Sequence, residues 1–168
     1  MHPVTTTKGS YPVKKYLLAS ILAFSVSGVV LAADTPSSPP PRPRDAALDQ
    51  ARDAIAHQDW TGAQAVLRDA VARNPQNADY NNLYAYSIRK GPNPDMSLVF
   101  KHYNQALAID PKHKGAHEYL GEAYLMVGNV DKAKEHLAQL DKICFFGCSE
   151  FNDLKTAISD YEAKKIAR

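Results

Sequence analysis

The side chains most capable of chemistry in this chain are two cysteines and three histidines in its last third. Cys144 and Cys148, the two cysteines of the 168-residue sequence, enclose the tripeptide Phe-Phe-Gly. His113 and His117 are four residues apart, and His136 follows. Thiolates and imidazoles can together bind zinc or copper, whereas two thiols can form a disulfide or carry out redox chemistry.

The spacing of the cysteine pair favours a structural bridge. Cys-x-x-Cys is the spacing of thiol redox motifs, and Cys-x-x-Cys-His is that of haem attachment; Cys144 and Cys148 are one residue too far apart for either. Gly147 can adopt a left-handed conformation that turns the chain between them. In an oxidising compartment we therefore predict a Cys144–Cys148 disulfide. Two free thiols, or a metal or redox role for the pair, are the alternatives.

The histidines favour packing or surface roles over metal binding. His113 falls in the turn before a predicted helix, and His117 occupies a predicted packing position. We expect no metal ligands and no cofactor. The sequence also shows no nucleophile turn with an adjacent base and no glycine-rich phosphate loop, and its acidic residues are dispersed. We therefore predict that the protein is not an enzyme.

The first 32 residues have the pattern of a secretory signal peptide. Three lysines precede an apolar run that ends in small residues, and no acidic residue occurs before Asp34. We expect cleavage after Ala32 and export, most simply to a bacterial periplasm; an uncleaved membrane anchor is the alternative. Without these residues the chain carries 17 basic and 18 acidic side chains, so no basic surface for nucleic acid is expected.

A proline-rich linker is predicted from residue 33 to residue 44, because five prolines among residues 34–44 exclude a helix. From Asp45 onward the apolar residues recur at helical spacing. Pro75 and Pro111 each end a helical segment, and the two lie 36 residues apart. The chain therefore predicts an all-α architecture of repeated helix pairs.

The third pair carries the most specific pattern. Its small and large residues are Leu120, Gly121, Tyr124, Gly128, Ala133 and Leu137. This order describes two antiparallel helices at close range, and it resembles the tetratricopeptide (TPR) repeat. We expect repeats at 45–77, 78–113 and 114–147, followed by a capping helix at 148–168. The first repeat is atypical, since Gln50 and Ala51 replace the large-then-glycine pair. The cysteine turn resembles that of small exported TPR proteins of proteobacteria.

The resemblance implies a short TPR superhelix that binds other proteins. In this family the first helix of each pair lines the concave face, which by position carries Arg52, Ile55, Asn82, Tyr86, Arg89, Glu118, Glu122 and Leu125. This face is basic and polar in the first two repeats and acidic in the third. A bound peptide would therefore direct an acidic end toward Arg52 and Arg89. Glu118 and Glu122 argue against a clamp for a C-terminal carboxylate.

The predicted function is a non-enzymatic periplasmic adaptor or scaffold that binds a partner protein or peptide on this face. The alternative is a metal- or redox-linked accessory protein that uses Cys144 and Cys148. Self-association through the first repeat is a further possibility for the partner.

Overall fold

The computed structural model describes residues 44–167, and in this range the chain is entirely helical, without strands. The predicted signal peptide, and the predicted linker up to residue 43, lie outside the described residues. The seven helices are α1 (Ala46–Ala56), α2 (Trp60–Arg73), α3 (Ala78–Lys90), α4 (Met96–Ile109), α5 (Lys114–Met126), α6 (Val130–Ile143) and α7 (Ser149–Ile166). Among them, none has the length and apolar character needed to cross a membrane.

Short polar side chains fix the start of six of these helices. Asp45, Asp59, Asn77, Asp95 and Asn129 each accept a hydrogen bond from a backbone N–H in the first turn of the following helix, and His113 does so through Nδ1. The seventh helix differs from the sequence-based expectation that Ser149 caps it. Cys148 is the N-cap and its side chain makes no capping bond, while Ser149 Oγ donates to Glu150 Oε2 at 3.2 Å.

The helices form three antiparallel hairpins, α1–α2, α3–α4 and α5–α6, and α7 packs against α5 and α6. The first helices of successive hairpins touch each other, since α1 contacts α3, α3 contacts α5 and α5 contacts α7. Within residues 44–167, α2, α4 and α6 make no such contacts with one another. The side of the stack on which α1, α3, α5 and α7 touch one another corresponds to the predicted concave face.

Alanine and glycine allow the close approaches on which this stacking depends. Ala85, Ala123 and Tyr103 are fully buried in the cluster that joins the second hairpin to α5. Gly121 is the tightest point, because a Cβ there would lie 2.6 Å from Leu154 Cδ2 on α7. The all-α repeat architecture predicted from the sequence is confirmed, and the Gly121 contact proves to be with the capping helix.

Candidate functional site

The eight residues predicted to bind a partner lie on α1, α3 and α5, in two different environments. Arg52 is exposed, and Ile55, Tyr86 and Glu122 are half-buried. Asn82, Arg89, Glu118 and Leu125 are buried. The exposed end of the face is thus at α1, whereas between α3 and α5 polar groups are enclosed by neighbouring helices. Buried polar groups need hydrogen-bond partners. The contacts of each group within the protein therefore show whether it is still available to a ligand.

Arg89 is held by partners from within the protein. Its Nη2 donates to Glu122 Oε2 at 2.5 Å, and its Nε donates to the Tyr103 hydroxyl at 3.3 Å. Burial opposes the positive charge, but Tyr103 and Glu122 outweigh that cost and raise the pKa of Arg89. The guanidinium therefore already has two partners within the protein. Whether Arg89 also receives the acidic end of a peptide stays a prediction.

Aromatic rings surround the same guanidinium. The centroids of Tyr86 and Tyr119 lie 5.5 and 5.7 Å from Arg89 Cζ, within the range of a cation–π contact. The two rings are 4.6 Å apart, and Trp60 meets Tyr86 edge-on at 6.2 Å. Burial raises the pKa of Tyr119 to about 12, so its hydroxyl stays protonated at neutral pH. The centre of the concave face is thus an aromatic surface with one buried cation.

Glu118 has no such partner. Its residue is 8% exposed, yet it forms no hydrogen bond or ion pair with any part of residues 44–167. Burial first, then repulsion from Glu122, Asp153 and Glu150, raises the pKa of its carboxyl group to about 8. Because desolvation dominates, this carboxylate destabilises the protein whenever it is charged. Such groups are often retained at functional sites.

Asn82 is the second unpartnered polar group on this face. It is 4% exposed, and its Oδ1 is a buried atom without a hydrogen-bond donor. Its Nδ2 lies 3.3 Å from the place where a Cβ on Gly115 would stand, one turn before Glu118 on α5. Asn82 and Glu118 therefore lie on the same contact between α3 and α5.

The histidines have structural partners. His113 Nδ1 accepts from the Ala116 N–H at 3.1 Å, and His113 Nε2 lies 3.3 Å from Asp79 Oδ1. His117 Nε2 donates to the Pro111 carbonyl at 3.1 Å, which leaves Nδ1 to accept from His136 Nδ1 at 2.9 Å. In the described part of the chain, no three His, Cys, Asp or Glu side chains are arranged to hold a metal ion.

The second hairpin repeats the His117 arrangement with an asparagine. Asn81 Nδ2 donates to the Pro75 carbonyl at 3.0 Å, and His102 Nδ1 donates to Asn81 Oδ1 at 2.8 Å. Sequence reasoning missed this pairing. A signal was available, because Asn81 lies 36 residues before His117, as Pro75 does before Pro111. The two polar pairs tie each hairpin to the loop that precedes it.

Cys144 and Cys148 are joined by a disulfide with an S–S distance of 2.04 Å. The bridge closes the turn between α6 and α7, and Gly147 has the left-handed φ of 83° that the turn requires. Cys144 is part of the buried cluster around Leu140 and Leu154. This geometry matches the predicted structural bridge and places it outside the concave face.

Comparisons with known proteins agree with this architecture. Two family models described as tetratricopeptide repeat match residues 48–95 and 100–158. No curated protein matches the sequence significantly. Among solved structures, the TPR2B domain of yeast Sti1 in a complex with pHsp70 superposes with a TM-score of 0.61 and 16% identity, over 70% of this chain and 94% of that one.

The translocator chaperone SycD of the Yersinia enterocolitica type III secretion system, in an alternative dimer, is also similar. It superposes with a TM-score of 0.58 and 16% identity, over 72% of this chain and 90% of that one. At this level of identity both likenesses concern the fold alone.

Proposed function

Because this chain is a tetratricopeptide-repeat protein, we propose that it is a non-enzymatic adaptor that binds a partner polypeptide on its concave face. Stacked repeats of this kind offer an extended concave surface, and protein binding is their general use. The two similar structures fit this proposal, since one is a complex with pHsp70 and the other is a translocator chaperone. These two structures do not identify the partner of this chain.

The observation that carries the proposal is the composition of the concave face. A helix stack needs alanine, glycine and leucine at its seams, but it has no need for a largely buried glutamate without a hydrogen-bond partner at Glu118 or an unsatisfied amide oxygen at Asn82. Both groups destabilise the free protein. A bound polypeptide would supply a partner for the Glu118 carboxyl group.

We place this activity in the periplasm, on the strength of the signal-peptide pattern in residues 1–32 and the Cys144–Cys148 disulfide. N-terminal sequencing of the protein recovered from the periplasmic fraction tests the location. The expected mature chain begins at Ala33. A chain that keeps its first residues in the membrane fraction would instead support the uncleaved anchor.

A crosslinked pull-down from the cell envelope tests partner binding. Arg52→Glu changes an exposed side chain on α1, and the matched control Arg68→Glu changes an exposed side chain on α2. We expect a defined partner with the wild-type protein, reduced recovery with Arg52→Glu and unchanged recovery with Arg68→Glu. Recovery of this chain alone would favour self-association. No recovered protein, or equal recovery with both variants, would contradict the proposed binding face.

A further inference from the structure

The exposed apolar side chains of this protein are concentrated at one end of the helix stack. Within residues 44–167, the large hydrophobic side chains that are exposed are Met126, Val127, Phe145, Phe146 and Ile166. All five belong to the third hairpin, to the turn that follows it or to α7, and the first two hairpins contribute none. Single exposed apolar side chains are ordinary, but a concentration of them in one place indicates a contact surface.

The first group is the phenylalanine pair, Phe145 and Phe146, in the turn before α7. The two residues are 86% and 97% exposed, and their rings meet edge-on with centroids 5.1 Å apart. The Cys144–Cys148 disulfide closes the turn around them, and Cys144 belongs to the buried cluster below. Because the bridge already restricts the turn, a partner that covers the rings has less conformational entropy to overcome.

The second group lies toward the other end of α7, at a groove between α5 and α7. This groove has a volume of about 470 Å³, and it is lined by Leu125, Met126, Ala157, Asp160, Tyr161 and Lys164. The exposed Val127 follows Met126 in the chain, and Ile166 ends α7. About 18 Å of helix lie between Ser149 and Tyr161. One chain therefore cannot cover its groove with its own phenylalanine pair.

The charged residues of α7 differ between its two ends. Glu150 and Asp153 lie in the turns next to the phenylalanine pair, and Lys164 and Lys165 lie in the last turn. None of these four side chains forms an ion pair with another residue in the described part of the chain. The acidic end of one α7 can meet the basic end of another only when the two helices are antiparallel.

Neighbouring charges leave this difference between the ends in place. The cavity that Glu150 lines also contains two lysines and two aspartates, which offset each other: Lys112, Lys114, Asp79 and Asp110. At the other end, Asp160 offsets one of the two lysines, and Glu162 is paired with Lys134. Lys155 is near the middle of α7 and does not distinguish the two orientations.

We propose that two copies of this chain associate through antiparallel α7 helices, with the phenylalanine pair of each copy in the α5–α7 groove of the other. Such a contact uses the same surface on both copies, so two-fold symmetry closes it as a dimer. It covers both exposed apolar groups at once and brings the acidic end of each α7 to the basic end of the other. The inference concerns a second surface and does not depend on the proposed function.

The sequence left open self-association through the first repeat. The exposed apolar side chains instead favour the opposite end of the stack, since the described part of the first hairpin has none that is large.

Sedimentation velocity on the protein without residues 1–32, at roughly 1 to 200 μM, tests for the dimer. We expect a monomer–dimer equilibrium with a Kd on the order of 10 μM. Replacing both Phe145 and Phe146 by serine should weaken the dimer at least about tenfold. The melting temperature of the diluted monomer should not fall, because both side chains are exposed. A protein that stays monomeric throughout, or a serine variant that dimerises like the wild type, would overturn the inference.

Charge reversal tests the orientation of the two helices. Lys164→Glu together with Lys165→Glu makes both ends of α7 acidic, so the dimer should weaken. Adding Glu150→Lys and Asp153→Lys to the same chain restores opposite charges at the two ends, and dimerisation should return. A control with reversed charges at the exposed Arg68 and Arg73 of α2 should dimerise like the wild type.

A dimer that is unchanged by the two lysine reversals would overturn the antiparallel arrangement. So would a fourfold variant that melts like the wild type but fails to dimerise.

Photocrosslinking identifies what covers the phenylalanine pair. Benzoylphenylalanine at position 146 should crosslink to residues 125–127 or 157–166 of a second copy, both in the cell and in the purified protein. Mixing ¹⁵N-labelled and unlabelled chains shows by mass spectrometry that the crosslink joins two copies. Crosslinks to the first repeat or to the turn of the second copy would overturn the inference. So would an adduct in the cell with a lipid or with another protein, without any adduct to this chain.

Discussion

Arg89 Nη2 lies 2.5 Å from Glu122 Oε2, and this ion pair connects α3 of the second hairpin to α5 of the third. The Arg89 side chain is 6% exposed and that of Glu122 is 29% exposed. The pair is therefore shielded from water on the arginine side, and both charges depend on each other. Arg89, which the sequence predicts to bind a ligand, thus also connects the second repeat to the third.

Arg89→Ala should lower the free energy of unfolding by about 3–5 kcal/mol, because it leaves the partly buried Glu122 carboxylate unpaired and removes the contacts with Tyr103. Urea denaturation at pH 7 measures the change. The control Arg68→Ala removes an exposed side chain and should change stability by no more than about 0.5 kcal/mol. A loss below about 1 kcal/mol for Arg89→Ala would show that the pair is solvated and independent of the stack.

The helix pairs could be predicted from the sequence because their determinants are local. Pro75 and Pro111 cannot continue the helices that precede them, and Asp59 caps the helix that follows it. The Arg89–Glu122 pair could not be predicted, because its members are 33 residues apart and meet only after two hairpins stack. The burial of Glu118 depends likewise on where neighbouring helices settle, and nothing in the local pattern encodes it.

Glu118→Gln should stabilise the protein, and the gain should grow with pH. The folded-state pKa of Glu118 is raised to about 8 from 4.5. The folded protein therefore holds this proton more tightly than the unfolded chain, and its contribution to stability is present below pH 4.5 and is lost as the pH rises to 8. Glutamine removes that loss. Thermal melts of both proteins should coincide near pH 4 and diverge by pH 8.5.

The result that would contradict this reasoning is a Glu118→Gln protein that melts at or below the wild-type temperature at pH 8.5. In that case the carboxylate would have a favourable partner in the folded protein. Glu135→Gln is the control, since an exposed carboxylate should show no such trend.

The imidazole pair of the third hairpin should make the protein sensitive to acid. Burial and then the neighbouring His117 lower the pKa of His136 to about 4, and burial also lowers the pKa of His117. The unfolded chain binds these protons near pH 6.5 and the folded protein does not. Stability is therefore lost as the pH falls from about 6.5 to about 4.

His136→Gln should remove part of that loss, because glutamine does not titrate. The free energy of unfolding of the variant should fall less than that of the wild type between pH 6.5 and pH 4.5, measured by urea denaturation. His57→Gln is the control, because His57 is the exposed C-cap residue of α1. If the free energy of unfolding changed with pH in the same way for wild type and His136→Gln, the lowered pKa of His136 would be contradicted.

Gly121→Ala should destabilise the contact between α5 and α7. A Cβ at residue 121 would lie 2.6 and 2.7 Å from the two Leu154 Cδ atoms, so the leucine or the whole capping helix must move. We expect a loss of about 1–3 kcal/mol by urea denaturation, and a larger loss for Gly121→Trp. Leu154→Ala, which opens the same space, should be less harmful in the Gly121→Ala background than alone. Additive effects would contradict the contact.

Site-specific photocrosslinking in the cell tests partner binding on the concave face most directly. Benzoylphenylalanine is placed at Tyr86 on α3, and at the exposed Ala65 on α2 as the matched position outside that face. We expect a crosslinked adduct with one partner polypeptide from position 86 and none from position 65. Adducts from position 65 alone, or from neither position while the pull-down yields a partner, would contradict it.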